Sequence, residues 1–360
     1  MFIGLSIPPL KEVYLTPALH GTLVCVLEIK VFHLKKYIKV EIMDLEELIN
    51  NRYNYNFINN PRSDNIIKII KCLTFRESAL VFSIVMPIFN QESIITNNLD
   101  ALLNFTGGCD YEIILILDAC SDNTEIKIME WSETKNFEIY PLISKLTILK
   151  SEIPLFETAA DNLGFFCAKG KYILEIQADM EMIEPNYNMK LLTPFLQDNR
   201  IIGISGRCCH SFDQKSGVGK LGRDIELDLN KLNVDVDCYY LADTCNRGPL
   251  LLDSSKVYEL GFLDEANFFL DNSDHDLFAR SKAKGWLCGY CPIDFKAPLS
   301  NGSTRKPRDP LNNRYFEINK LAKNGKKGYY FNTNLTSSPI TKHKLIDYKD
   351  LDNIILKINQ

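Results

Sequence analysis

Phe82-Ser-Ile-Val-Met-Pro-Ile-Phe-Asn-Gln-Glu92 and Tyr111-Glu-Ile-Ile-Leu-Ile-Leu-Asp-Ala-Cys-Ser-Asp-Asn123 decide the fold of this chain. Each is a continuous apolar run that closes in polar, turn-forming residues, and one helix length separates them. An unbroken apolar run is what a strand buried on both faces requires. Two such strands joined by a helix make a βαβ unit. In an open α/β sheet, ligands bind in the crevice beyond the carboxyl ends of the strands. The polar residues ending each run therefore mark a binding site before any catalytic side chain is considered.

The same alternation continues outward. Strands are predicted at Val81–Ile88, Glu112–Asp118, Lys145–Lys150, Tyr172–Gln177 and Ile201–Ser205, with helices at Glu92–Asn104, Asn123–Trp131, Glu157–Lys169 and Pro185–Leu196. This pattern implies an α/β fold with a mainly parallel sheet and helices on both faces. Beyond Gly206 the regularity loosens. Phe212 to Lys220 reads as a loop, and Thr244 to Asp253 as a turn feeding a strand. Ser254–Leu260 and Asp274–Lys284 read as helices ended by Gly261 and Gly285, with a strand at Trp286 to Pro292. The tail from about Asn301 is basic, then helical around Leu311–Lys323.

The segment before about Phe75 has a different texture. Leu27, Ile29 and Val31, then Ile38, Val40 and Ile42, alternate with polar residues and suggest a β pair. Asp44–Asn51 and Asp64–Cys72 read as helices, the second with Ile66, Ile67, Ile69 and Ile70 as its apolar stripe. The expected organisation is an accessory segment over 1–78, a main domain over 79–305 divided near 182, and a partly helical tail over 306–360.

The chain has 360 residues, 46% hydrophobic and 24% charged, the composition of a globular protein with a sizeable core. A formal net charge of −5 gives no sign of a nucleic-acid partner. No run approaches the ~20 apolar residues of a membrane span. Pro8-Pro9 and the lack of a basic start argue against a signal peptide, so the expected location is the cytoplasm, with peripheral membrane attachment left open. The 11 cysteines show no disulfide framework. Cys288 and Cys291 form a Cys-x-x-Cys whose one conceivable zinc partner is Cys208-Cys209; two small hydrophobes flanking a turn is the simpler reading.

Three constellations can carry chemistry. Asp118, closing a buried strand, can accept from a base or ribose donor, while Ser121 or Asp122 caps the next helix. In Tyr172-Ile-Leu-Glu-Ile-Gln-Ala-Asp-Met-Glu-Met182, an extended backbone would put Gln177, Asp179 and Glu181 on one side. Carboxylates there suit Mg²⁺ or Mn²⁺, which complete their shells with phosphate and water; an exposed acidic loop is the alternative. In Asp271-Asn-Ser-Asp274-His-Asp276, acidic residues crowd a helix start. Asp274 there is either a cap or a general base, its pKa expected to rise through the crowding by Asp271 and Asp276.

In order along the chain, Ser83–Asn90, Glu112–Asp118 with Ser121-Asp122, Gly170–Asp179, Gly261-Phe-Leu-Asp-Glu265 and Asp274-His-Asp-Leu-Phe-Ala-Arg280 resemble the motifs of family 2 glycosyltransferases over about residues 80–305. The resemblance implies a GT-A fold with a nucleotide half (79–182) and an acceptor half (183–305). It implies that Pro87, Phe89, Asn90, Glu92, Asp118, Ser121, Asp122 and Gln177 bind the nucleotide, commonly UDP. Asp179 would hold Mn²⁺ or Mg²⁺, and Asp274 would act as general base for inverting transfer from a nucleotide sugar to a carbohydrate, lipid-linked or protein acceptor. Arg280 would be structural.

The sequence departs from that pattern in three places. Gln177 replaces the first aspartate of Asp-x-Asp, although its amide oxygen can still meet a ribose hydroxyl or a water. Asp161-Asn162 stands where many relatives have arginine before asparagine. Ala297 to Ser303 lacks the late metal-binding histidine. Glu181 is a candidate to assist the metal, and Arg247, Arg305 or Lys306 could supply the missing positive charge to the diphosphate. Acceptor contacts are expected in loops such as Arg207 to Arg247. The competing readings are a catalytically impaired binding module and a sugar-phosphate nucleotidyltransferase; the latter normally carries a Gly- and Lys/Arg-rich phosphate loop, which Pro87–Glu92 does not.

Overall fold

The computed structural model describes residues 67–212, 219–222, 234–265, 267–268, 272–297 and 337–358, all within one compact unit, Glu46–Gln360. The β pair expected within 27–42, the helix at 44–51, the tail helix near 311–323, and the candidates Asp271, Arg305 and Lys306 lie outside the described residues.

Four parallel strands form the first half of the main sheet. They are β2 (Phe82–Ile88), β3 (Tyr111–Asp118), β4 (Ile143–Ser151) and β5 (Tyr172–Glu175), lying in the order β4-β3-β2-β5. Ile113, Leu115, Ile116 and Leu117 of β3 are all 0% exposed. Burying each such side chain contributes about 1.5–3 kcal/mol, which is why the run is unbroken. Helices α1 (Ile95–Phe105), α2 (Thr124–Thr134) and α3 (Phe156–Cys167) connect these strands. α3 packs on β2 and β3 so closely that a Cβ at Gly164 would come within 2.2 Å of Val85 Cγ1.

Beyond β5 the sheet is mixed. It continues through β12 (Leu250–Asp253), β7 (Ile201–Ser205), β13 (Leu287–Tyr290), β10 (Cys238–Ala242) and β15 (Thr341–Lys344). Only β7 and β13 run parallel to each other in this half, where the sequence periodicity had also loosened. Helix α4 (Tyr187–Gln197) leads into β7, and α5 (Ser254–Leu260) and α6 (Ser273–Ala283) follow β12. α5 ends at Gly261 in the left-handed conformation, as its sequence predicts.

One expected helix is a strand. Residues 67–72, read as the end of a helix over Asp64–Cys72, lie in β1 (Ile67–Thr74), antiparallel to β4 at the sheet's edge. The isoleucine run fits either period. Its β-branched side chains and the unpaired edge of β4 favour the strand.

The chain returns at its far end. β15 pairs with β10, and α7 (Leu351–Ile358) packs on α4. Asp243 fixes this return; it lies between β10 and β11 (Thr244–Cys245), which forms a small sheet with β8 (Cys208–His210) and β9 (Lys220–Gly222). Its carboxylate accepts from Ser338 N at 3.1 and 3.2 Å and from Phe212 N at 2.8 Å, and it forms an ion pair with Lys282 of α6.

Candidate active site

The loops after β2 and β3 meet at the carboxyl edge of the sheet and are joined by their own polar side chains. Asn90 Nδ2 donates to Ser121 Oγ at 3.0 Å, while Ser121 N donates to Asn90 Oδ1 at 2.8 Å. Asp122 accepts from Glu92 N at 3.1 Å and from Thr124 N, at the start of α2, at 3.0 Å. Glu92 in turn accepts from Asn123 N at 2.9 Å. Asn90, Ala119 and Phe156 all have positive φ, at 50°, 48° and 65°. Strained backbone of this kind persists where the surroundings over-determine it, and it gathers at functional sites.

Pro87, Phe89, Asp118, Glu157, Gln177 and Asp179 are among the residues lining a cleft at this edge. The sequence had brought all of these together except Glu157, whose neighbourhood on α3 carries no local signal. Asp118 is nearly buried. Its two oxygens accept from Leu155 N and, at 3.0 Å, from Phe156 N, so it ties β3 to the start of α3.

The acidic stretch after β5 differs from its expected geometry. β5 ends at Glu175, and a turn follows in which Met180 N donates to Gln177 O at 3.0 Å. Residues 177–181 are therefore not extended, and the alternation expected of Gln177, Asp179 and Glu181 does not hold. Glu181 lies on β6 (Glu181–Met182) and pairs with Lys296 Nζ of β14 (Phe295–Lys296) at 3.2 Å. Gln177 is held at both ends of its amide: Nε2 donates to Glu157 Oε1 at 2.6 Å, and Oε1 accepts from Arg207 Nη1 at 3.1 Å.

Beneath the cleft lies a buried charge cluster built around Arg247. Its Nη1 donates to Asp161 Oδ2 at 2.7 Å, and its Nη2 lies 3.5 Å from Glu157 Oε2. Gly248 has φ 61°, and a Cβ there would come within 2.8 Å of Gln177 Cγ, so only glycine lets this loop approach. Its N–H donates to Glu175 Oε2 at 2.6 Å. Burial raises the Asp161 carboxyl, partly countered by Arg247, to about 7. Burial, with the neighbouring Asp161 charge, also raises Glu175. Asp161 Oδ1 and Glu175 Oε1 are buried with no hydrogen-bond partner, as fits carboxyls that favour their neutral form.

Asp274 stands on the far side of the same arginine. Oδ2 accepts from Arg247 N at 3.2 Å and Oδ1 from His275 N at 2.8 Å. Its pKa is lowered, not raised as the sequence suggested. Burial pushes it up, but the His275 and Arg247 charges and two backbone donors outweigh burial. The expected crowding by Asp276 is absorbed by Arg280, whose Nε donates to Asp276 Oδ2 at 2.7 Å. Arg280 also caps the carbonyls of Leu260 and Phe262, the structural role expected of it. Asp161, which stands where many relatives have arginine, is the buried partner of Arg247, and the asparagine after it keeps a structural role. Asn162 exchanges hydrogen bonds with Leu263 (Nδ2 to O at 2.9 Å, N to Oδ1 at 3.0 Å), which holds the loop after Gly261.

No group of three or more His, Cys, Asp or Glu able to hold a metal occurs among the described residues. Cys288 and Cys291 are buried free thiols, consistent with their reading as small hydrophobes. Asp179 lines the cleft, and a hard oxygen ligand of its kind suits a cation that takes its remaining shell from phosphate and water. That is the mode in which Mg²⁺ binds through one or two carboxylates and its substrate.

Residues 83–242 match the family model described as glycosyl transferase family 2. The UDP-Glc:alpha-D-GlcNAc-diphosphoundecaprenol beta-1,3-glucosyltransferase WfgD of Escherichia coli is 23% identical over 272 residues, covering 74% of this chain and 96% of that protein. Among solved structures, S. aureus TarS 1-349 in complex with UDP aligns at 11% identity and a TM-score of 0.42, over 77% of this chain and 70% of that one. GalNAc-T7 with UDP, GalNAc and Mn²⁺ aligns at 15% identity and a TM-score of 0.47, over 74% of this chain and 53% of that one. Over residues 83–242 the chain is thus similar to glycosyl transferase family 2, and this match and the likeness to WfgD together support a glycosyltransferase.

Proposed function

We propose that this enzyme moves a sugar, with inversion, from a UDP-sugar to an acceptor hydroxyl. The observation that carries the reading is one cleft edge where Pro87, Phe89, Asp118, Gln177 and Asp179 meet, with Glu157 in its wall linked through Arg247 to Asp274. The similarity to WfgD, whose name gives UDP-glucose as donor and a diphosphoundecaprenol-linked sugar as acceptor, supports a UDP donor and a lipid-linked acceptor. No helix among the described residues is long and apolar enough to cross a membrane, and a lipid-linked acceptor would bring the enzyme to a membrane surface.

Asp274 accepts the proton of the acceptor hydroxyl as that oxygen attacks the anomeric carbon. The bond from that carbon to the diphosphate oxygen breaks, and the nucleoside diphosphate leaves with the electron pair. A lowered pKa keeps Asp274 ionised at neutral pH and ready to accept. Proton transfer of this kind contributes about 10²–10⁴-fold. Asp179 would hold the divalent cation, Mn²⁺ or Mg²⁺, whose chemistry when bound is to offset charge on the diphosphate. Asn90, Glu92, Ser121 and Asp122 would act by keeping the two nucleotide loops in register.

The test is a panel of UDP- and GDP-sugars with Mn²⁺, followed by release of nucleoside diphosphate and by calorimetry with UDP. Turnover of a UDP-sugar is expected. Binding of UDP with no turnover of any donor would identify a binding module instead, and absence of UDP binding would remove the donor assignment.

A further inference from the structure

The Asp274 carboxylate takes its two backbone N–H groups from different segments, Arg247 N in the loop after β11 and His275 N in the first turn of α6. Both donors stay on target only while those segments keep a fixed spacing. A pair of histidines spans the gap. His275 Nδ1 lies 2.8 Å from Oγ1 of the buried Thr244 on β11. The His275 ring meets the ring of His210, on β8, edge to face, with centroids 5.1 Å apart and planes at 84°.

His210 carries the connection onward. An amide oxygen only accepts, so His210 Nε2 donates to Asn246 Oδ1, at 2.6 Å. Asn246 N also donates to Cys208 O of β8 at 3.1 Å. Asn246 directly precedes Arg247. The contacts therefore close a circuit from Asp274 through His275, His210, Asn246 and Arg247 back to Asp274. The antiparallel pair β8 and β11, with Thr244 opposite His210, is its floor. A shift of Asn246 or a turn of the His275 ring would draw a donor away from the carboxylate, and each donor favours the ionised form.

Resting on the reading of Asp274 as the general base, we propose that His210 and His275 are positioning residues. They clasp the Asn246-Arg247 peptide to the start of α6 and so hold the Asp274 carboxylate in line with the acceptor hydroxyl.

Two pairs of variants of the full chain test this, Thr244→Val with Thr244→Ser and His210→Phe with His210→Gln. Thr244→Val and His210→Phe each remove one hydrogen bond of the clasp, and His210→Phe keeps the ring contact. Thr244→Ser keeps the hydroxyl, and His210→Gln offers an amide N–H in place of Nε2. Arg247, Asp161, Cys245 and His275 are among the titratable groups that act on Asp274, and all four variants leave them in place. UDP affinity is read by calorimetry with Mn²⁺, and kcat by UDP release across pH from the best UDP-sugar of the donor panel, with water as acceptor. Thr244→Val and His210→Phe should bind UDP as wild type does and lose about ten- to a hundredfold in kcat, the effect of a misplaced reacting group. The acid limb of kcat should move upward by about one pH unit, the equivalent of one hydrogen bond to a charged group. Thr244→Ser and His210→Gln should restore both. Wild-type kcat and acid limb in Thr244→Val and His210→Phe, equal losses in Thr244→Ser and His210→Gln, or loss of UDP binding together with kcat overturns the positioning role while Asp274 stands as base. Full turnover by Asp274→Asn, or no turnover of any donor by wild type, removes the base reading itself.

Discussion

Arg247 Nη1 meets Asp161 Oδ2 at 2.7 Å with both side chains almost sealed from water, 5% and 0% exposed. The contact joins α3, which connects the parallel strands β4 and β5, to the loop before β12. A charge buried this deeply is tolerated because it is paired, and removing one partner typically costs about 3–5 kcal/mol. Arg247→Met should therefore lower the unfolding free energy by about that amount. The double variant Arg247→Met/Asp161→Asn should recover part of the loss, because Asp161 no longer brings a buried charge without its partner, while Glu157 still loses Arg247. Denaturant titration of the two variants against wild type measures both effects.

Asp161 also predicts a pH signature. Its carboxyl is raised to about 7 in the folded chain, while the unfolded value is ordinary, so between these values the folded state binds the extra proton. The stabilisation is complete below about pH 4 and is lost as pH rises through about 7. Asp161→Asn removes the titration. The difference in melting temperature between variant and wild type should move in favour of the variant across that window and level off above it. A constant difference would show that Asp161 is ionised throughout.

Asp274→Asn should lower kcat by about 10²–10⁴-fold while UDP still binds, the mark of a group acting on the proton and not on the donor. It carries a stability cost as well. Both carboxylate oxygens accept backbone N–H groups, so one of them would face the new amide N–H. A loss of about 1–3 kcal/mol is expected for that unmade bond. Because the Asp274 pKa is lowered, the acid limb of kcat attributable to it should fall below the usual carboxylate range. Full activity of a folded Asp274→Asn enzyme would exclude it as the base.

Asp179→Ala should abolish the Mn²⁺-dependent part of UDP binding. Chelation of the metal should reduce the wild type to the level of the variant and leave the variant unaffected. Calorimetry with and without EDTA reads this directly, and a variant that still responds to Mn²⁺ would place the cation elsewhere.

The parallel strands were legible because burial on both faces forces unbroken runs such as Ile113–Leu117, and no other element explains them. The edge was harder: Ile67, Ile69 and Ile70 satisfy a helical stripe and a half-buried strand equally, and only the open edge of β4 distinguishes the two. The residues of the cleft were legible from their motifs, but their partners were not. Asn90 with Ser121, Asp118 with Leu155 and Phe156, and Gln177 with Glu157 and Arg207 are contacts across 20 to 40 positions of sequence, which no local pattern encodes. The same holds for Asp274. Its crowded acidic neighbourhood suggested a raised pKa, whereas the adjacent His275 and an arginine brought in by tertiary structure, each with a backbone donor, together reverse the sign.

The pairing of β15 with β10, secured at Asp243, also orders assembly in time. A chain made from its amino end can lay β2, β3, β4 and β5 side by side while later residues are still being synthesised, since domains tend to form as their segments emerge. The opposite border must wait for residues 341–344, about a hundred positions after β10 (Cys238–Ala242), the strand whose edge they cover. Until then β10 presents an open edge able to recruit any extended segment nearby. Nascent chains halted before residue 337 should thus be the form most prone to self-association.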